Sequence, residues 1–329
     1  MYKFLRVING EEYEDFLCEQ GIYKYMPRRL LHTLQMNIKP RILCKYITQD
    51  LGEEIGIGVG VFINQDNISS DEYKSKLIDT INNIKEQEGY EGIEFLLDDN
   101  TKLDIDEIEE VKELCNIQIP QGREVFASNI LNCLEKICKH RDEQISEKEV
   151  FILSDDTKVT EDLVNELASS TKFISIYSEN NDFAAKLEVD VFKKTGLALH
   201  VRRDMSEGCE DFNFIINLSE DALINLSNLK KNKIVIDLSR SKCLAYNKYR
   251  GKSKAILIDD LFFKNDSKIY SESGKFEFDK YLNTATHKLF CENKNDIEKV
   301  QINNRICSVE QLVELSKFKK QDESCFKKT

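Results

Sequence analysis

Residues 149–180 read EVFILSDDTKVTEDLVNELASSTKFISIYSEN. Two apolar runs, EVFILS and KFISIY, flank a stretch with Val159, Leu163 and Leu167 at helical spacing. This is strand, turn, helix, strand, the order of a parallel βαβ unit. At such a turn a phosphate-binding unit carries G-x-G-x-x-G, because glycines let backbone N–H groups approach the anion. Here residues 154–162 read SDDTKVTED, with no glycine and with Asp155, Asp156, Glu161 and Asp162. Two like unit charges 4 Å apart repel by about 1 kcal/mol in water, and by more near a protein surface. An Asp at a helix start is also a good N-cap, and that is the preferred reading of the acids in this loop.

The same alternation runs on from this stretch. Strands are expected at LALHV (197–201), FNFIINL (212–218), KIVIDL (233–238) and AILIDDLFF (255–263). A helix carries Phe183, Leu187 and Val191, and a short one carries Leu223, Leu226 and Leu229. Runs apolar on both faces and separated by helices indicate a parallel sheet covered on both sides.

Upstream, the first 40 residues show no clear period. RILCKYI and EIGIGVGVFI read as a hairpin around TQDLGE. Gly56, Gly58 and Gly60 lie inside a period-2 strand, so they read as a bare packing face and not as a phosphate loop. Ser69 and Glu72 form a capping box for a helix with Tyr73, Leu77, Ile81 and Ile84 on one face. Strand IEFLL (93–97), a helix from about Asp104, a short strand in NIQIPQG and one helix from Arg123 to His140 follow. Downstream, KIYSE with KFEF and VQI with RIC read as two hairpins, and Ser308 with Gln311 caps a last helix. The tail after it is polar and expected to fray. The expected fold class is α/β: an N-terminal α/β domain (1–145), a doubly wound, mostly parallel domain (146–264), and C-terminal hairpins and helix (265–329).

The layout resembles the group of shikimate dehydrogenase, methylene-tetrahydrofolate dehydrogenase and glutamyl-tRNA reductase over about residues 90–262. The best part is IINLSEDALINLSNLKKNKIVIDLS. The resemblance places Asn217 and Ser219 at the end of the fourth Rossmann strand, where these enzymes carry a small polar pair near the nicotinamide, and puts Asp237 in the fifth. It also places Glu179 at the end of the second strand, where an acid hydrogen-bonds the adenosine ribose of NAD. The family's phosphate loop and its catalytic residues do not carry over. Lys45, Asp98, Asp99 and Cys44 receive no role, and Cys44, among apolar strand neighbours, reads as packed.

The chain has 329 residues, 41% hydrophobic and 32% charged, with a net charge of -12. That balance fits a globular protein and opposes general binding to nucleic acid or anionic membranes. No apolar run reaches the roughly 18–20 residues of a spanning helix, and the N-terminus turns acidic early, so a cytoplasmic location is expected. Ten scattered cysteines without a C-x-x-C pair read as reduced, often buried thiols, and the spacing of the ligand types gives no metal site. His32, His140, His200 and His287 are isolated in sequence, and His200 reads as core or half-buried. Arg202–Arg203 either pair with nearby acids or take a phosphate or carboxylate.

The expected site is a crevice at the strand ends lined by Asp155, Thr157, Glu179, Asn217 and Ser219. The main expectation is a degenerate dinucleotide-binding domain that takes a small molecule or protein partner without hydride transfer and without a cofactor. The alternatives are an active oxidoreductase using NAD or NADP through an atypical loop, and a structural or regulatory assembly protein.

Overall fold

A computed structural model describes residues 3–8, 10–19, 21–34, 37–62, 69–88, 92–98, 103, 105–120, 122–205, 208–239, 241–244, 254–290, 296–302 and 305–317. The expected helix start at Asp104, and also Asp99, Gln121, Cys291, Cys325 and the tail from Phe318, lie outside these residues. The chain folds into two compact units. The first holds Met1–Gln121, Asn265–Lys280 and Leu289–Cys291; the second holds Gly122–Lys264, Tyr281–Lys288 and Glu292–Thr329. The cut therefore falls at residue 121 and not near 145, because the connecting helices share the second unit's core. Residues 265–329 form no module of their own; both units use them.

The first unit is built on a five-stranded sheet. Its strands are β1 (Phe4–Ile8), β2 (Arg41–Thr48), β3 (Glu54–Gly60), β4 (Phe95–Leu97) and β11 (Ile269–Ser271), in the order β11-β2-β3-β1-β4. Helices α1 (Gly10–Cys18), α2 (Arg28–Thr33), α3 (Ser70–Glu88) and α4 (Ile105–Cys115) belong to the same unit. β2 and β3 form the expected antiparallel hairpin, and β1 runs parallel to β3 and β4. β1 escaped the sequence reading because four of its five residues are buried, which leaves no alternation. The fifth, Arg6, donates from Nη1 to Tyr46 Oη at 3.1 Å and to Phe276 O at 3.1 Å, and lies 4.6 Å from the Phe278 ring. The glycine face of β3 is a seat for rings. A Cβ on Gly56 would lie 2.3 Å from Phe4 Cζ, and one on Gly60 would lie 2.4 Å from Tyr13 Cε2.

Helix α3 starts on the expected capping box: Ser69 N donates to Glu72 Oε2 at 3.0 Å, and Glu72 N donates to Ser69 Oγ at 3.3 Å. Its Tyr73, Leu77, Ile81 and Ile84 pack with Leu5, Val7, Ile57 and Val59. Two expectations fail here. NIQIPQG contributes a single bridge, Gln118 to Phe95, and no described strand. KIYSE and KFEF form no hairpin: β11 pairs antiparallel with β2, while Ser271 N donates to Glu277 Oε1 at 2.9 Å, so a side chain closes the loop.

The second unit contains six parallel strands: β5 (Glu149–Leu153), β6 (Phe173–Tyr177), β7 (His200–Arg202), β8 (Phe214–Asn217), β9 (Ile234–Asp237) and the first part of β10 (Ile256–Lys264). Their order, β7-β6-β5-β8-β9-β10, is the Rossmann order 3-2-1-4-5-6. Every neighbouring pair in this row is parallel. β10 continues beyond Ile258 and takes β12 (Tyr281–Asn283) and β13 (Ile297–Ile302) as antiparallel partners, with β14 (Arg305–Ser308) paired outside β13. VQI and RIC thus form the expected hairpin; its Asn303–Asn304 turn lies outside the described residues.

Both faces of the sheet are covered. Helices α6 (Ile130–His140), α7 (Lys158–Leu167) and α8 (Asn181–Thr195) bury Cys133, Leu134, Ile137, Leu163, Leu167, Leu187 and Val191 against one. Against the other lie Phe212, Ala222, Ile224, Leu226, Leu229 and Leu244, with a 3₁₀ turn at Leu226–Asn228 in place of the expected short helix. The expected helix from Arg123 to His140 is two, α5 (Arg123–Ala127) and α6. Asn129 Nδ2 and Ser128 Oγ donate to Val125 O at 2.8 and 3.1 Å, so side chains take the carbonyl that a continuing helix would use. No helix among the described residues is long and apolar enough to cross a membrane.

Candidate functional site

In an open parallel sheet the loops diverge at the strand C-terminal ends, and ligands bind in the crevice they leave. In the second unit these ends are Leu153, Tyr177, Arg202, Asn217 and Asp237. They carry two closed polar networks and one open pocket.

The first network fills the phosphate position. Asp155 Oδ1 accepts from Thr157 N at 3.3 Å, Thr157 Oγ1 at 2.7 Å and Thr160 Oγ1 at 2.7 Å. Its Oδ2 takes Nη2 of Arg123 in an ion pair whose side chains are 13% and 15% exposed. The same Nη2 donates to Leu218 O at 2.6 Å, so Arg123 bridges the ends of β5 and β8. The N-cap of α7 is Thr157, which makes no side-chain cap bond; Asp155 acts from outside the helix and not as the N-cap. Asp156 holds the turn in the left-handed region, φ 60°, a conformation that favours Gly and tolerates Asp. Its Oδ1 accepts from Ser178 Oγ, tying the loop to the end of β6.

The second network lies at β8 and β9. Asn217 is fully buried: its Oδ1 accepts from Ser219 N at 3.0 Å, and its Nδ2 donates to Ser219 O and Asp237 Oδ1, both at 2.9 Å. The buried Asp237 carboxylate also accepts from Ser239 Oγ at 2.6 Å and, through Oδ2, from Leu244 N at 2.9 Å. Lys242 Nζ donates to Asp237 O at 2.9 Å and Asp259 O at 2.7 Å. Asp259 is 5% exposed, and burial pushes its carboxyl up to about 6 against the opposing pull of Lys242.

The open pocket, about 460 Å³, lies at the ends of β6 and β7 and is lined by Tyr177, Ser178, Glu179, Asn181, Arg202 and Arg203. Of the five residues expected to share one crevice, only Glu179 lines it. Asp155 and Thr157 are bound up at the start of α7, and Asn217 and Ser219 lie in the buried β8–β9 network. Sequence reasoning missed Arg123: its partner Asp155 is 32 positions away, and a basic residue opening a helix carries no signal of that pairing.

The remaining candidates are engaged or packed. Lys45 Nζ donates to Glu54 Oε1 at 2.8 Å, and Asp98 accepts from Tyr73 Oη. Burial raises the thiol pKa of Cys44, and it pushes the Cys133 thiol up to about 12 and the Cys115 and Cys209 thiols up to about 11. Such thiols stay protonated and unreactive at neutral pH. His200 is exposed on the edge strand β7, contrary to expectation, because β7 has no neighbour beyond it. His287 is the buried histidine: its ring packs 4.2 Å from that of Phe263, and burial lowers its pKa.

No protein-family model matches the chain, and no curated protein is similar to it in sequence. Among solved structures, a dipicolinate synthase chain from Bacillus halodurans is 13% identical, with 78% of this chain and 89% of that one covered and a TM-score of 0.37. Shikimate 5-dehydrogenase from Listeria monocytogenes, solved with shikimate and NAD, is 11% identical, with 78% and 86% covered and a TM-score of 0.31. Thermococcus litoralis Δ1-pyrroline-2-carboxylate reductase, solved with NADH and L-proline, is 9% identical at a TM-score of 0.29. That match covers 35% of this chain and spans only 36% of the reductase. With each of these TM-scores below 0.5, none of the likenesses bears on what this chain binds.

Proposed function

We propose that this protein is a Rossmann-type binding protein, taking a small molecule or a protein partner, that transfers no hydride. The observation that carries the reading is the Asp155–Arg123 pair at the end of β5. A dinucleotide pyrophosphate needs open backbone N–H groups and close approach to the first turn of α7. Here a carboxylate accepts the N–H of Thr157 and both nearby threonine hydroxyls, and a guanidinium locks it in place. These residues do not fit a pyrophosphate. The net charge of -12 disfavours nucleic acid and anionic membranes as partners.

Calorimetric titration of the full chain with NADH and NADPH tests this reading. No sub-micromolar site is expected for either, and tight binding of one would favour an active oxidoreductase instead. The double variant Asp155→Gly, Asp156→Ser should gain weak nucleotide affinity. If it gains none, some other feature closes the site and the role given to Asp155 is wrong.

A further inference from the structure

The open pocket stands apart from the closed edge at β5, β8 and β9, and its chemistry differs. Two guanidiniums, Arg202 and Arg203, face one carboxylate, Glu179, with the Tyr177 phenol and the Asn181 amide completing the wall. A local excess of positive charge is notable in a chain of net charge -12. The Arg202 guanidinium carbon lies 5.3 Å from the Phe212 ring centroid and 5.8 Å from that of Phe151. Aromatic faces hold a cation at such distances, so this guanidinium is positioned before any ligand arrives. Arg203 and Glu179 are exposed.

We propose that this pocket binds a small polyhydroxylated anion: one phosphate or carboxylate group against Arg202 and Arg203, and hydroxyls donating to Glu179. The proposal rests on the reading that the fold keeps a ligand site while its phosphate crevice is closed. Guanidinium forks match the geometry of planar carboxylates and of phosphates. Glu179 repels a second anionic group but accepts hydroxyl protons, which selects a single charge on a polyol. The volume, about 460 Å³, lies toward the lower end of the usual range for small-molecule pockets. A longer ligand would have to run toward the end of β5, where Asp155 and Arg123 already occupy the space.

The test is calorimetry on the full chain with four probes: ribose 5-phosphate, ribonate, ribose and inorganic phosphate. Ribose 5-phosphate or ribonate, whichever carries the matching anion, should bind at least about tenfold tighter than both ribose and inorganic phosphate. Arg203→Ala should weaken that probe about tenfold. Glu179→Gln should erase the advantage of the polyol anion over inorganic phosphate. Both side chains are exposed, and circular dichroism of the variants checks that the fold is kept. Binding unchanged by Arg203→Ala, or no binding of either polyol anion, overturns the proposal. NADH run as a separate titrant keeps the two readings distinct: tight NADH binding sinks the functional reading, and silence of both polyol anions sinks only this one.

Discussion

Removing the guanidinium of Arg123 leaves the Asp155 carboxylate, 13% exposed, without its cation. Breaking a buried pair from one side costs about 3–5 kcal/mol, whereas replacing both partners with apolar groups is often nearly neutral. Arg123→Ala should therefore lower the urea midpoint sharply, and Arg123→Met with Asp155→Leu should recover most of the loss. Equal destabilisation by the single and double variants would show that the pair carries little. Asp259 gives a second prediction. Its carboxyl rises from 3.8 to about 6 by burial, so between those values the native state holds a proton that the unfolded chain releases. Stability should fall as pH rises through that window, by roughly 2–3 kcal/mol in total. His287 acts the other way: with its pKa lowered by burial, it costs stability as pH falls. Asp259→Asn isolates the first effect, and its advantage over the parent chain should grow between pH 4 and 7. A constant difference would mean that Asp259 does not titrate there. Neither residue could be read from sequence, since an acid inside an apolar strand does not reveal whether it is buried.

At the scale of elements, period and capping signals were legible and long-range pairing was not. The Ser69–Glu72 and Ser308–Gln311 caps formed as read, the latter with Gln311 N donating to Ser308 Oγ at 3.2 Å. The glycine alternation in β3 identified a strand with a bare face, but not the rings that fill it. Gly56→Ala would force its new methyl into the Phe4 ring, and overpacking of this kind costs about 1–3 kcal/mol. Gly52→Asn is the control: its φ is +64°, which Asn tolerates, and no atom lies within 4 Å of the added Cβ. Thermal melts should show a clear drop for the first and little change for the second. A neutral Gly56→Ala would mean that Phe4 is free to move. β11 was misread for a related reason, because local turn residues favoured a hairpin while its partner, β2, lies far upstream.

For the whole molecule, the parallel strands could be listed from apolar runs, and their spatial order follows from right-handed crossovers. The division into units could not be read, because both draw on the last third of the chain. A chain cut after Lys264 would lose β11 from one sheet and β12, β13 and β14 from the other. It would also bare Leu261 and Phe263, which pack in one core with Ile297, Val300, Leu312 and Val313. That truncation should lose near-ultraviolet dichroism and aggregate; a soluble, cooperative 1–264 fragment would show that the C-terminal segments are dispensable. The interleaving also has a consequence during synthesis. Lys268, just ahead of β11, bonds Asp50, just after β2, across 218 positions of sequence. At about 5–20 residues per second, a ribosome needs roughly 10–40 s to deliver the later segment after the earlier one emerges. For that interval the outer edge of β2 stands unpaired on the nascent chain, a template for strands of its neighbours on the same polysome.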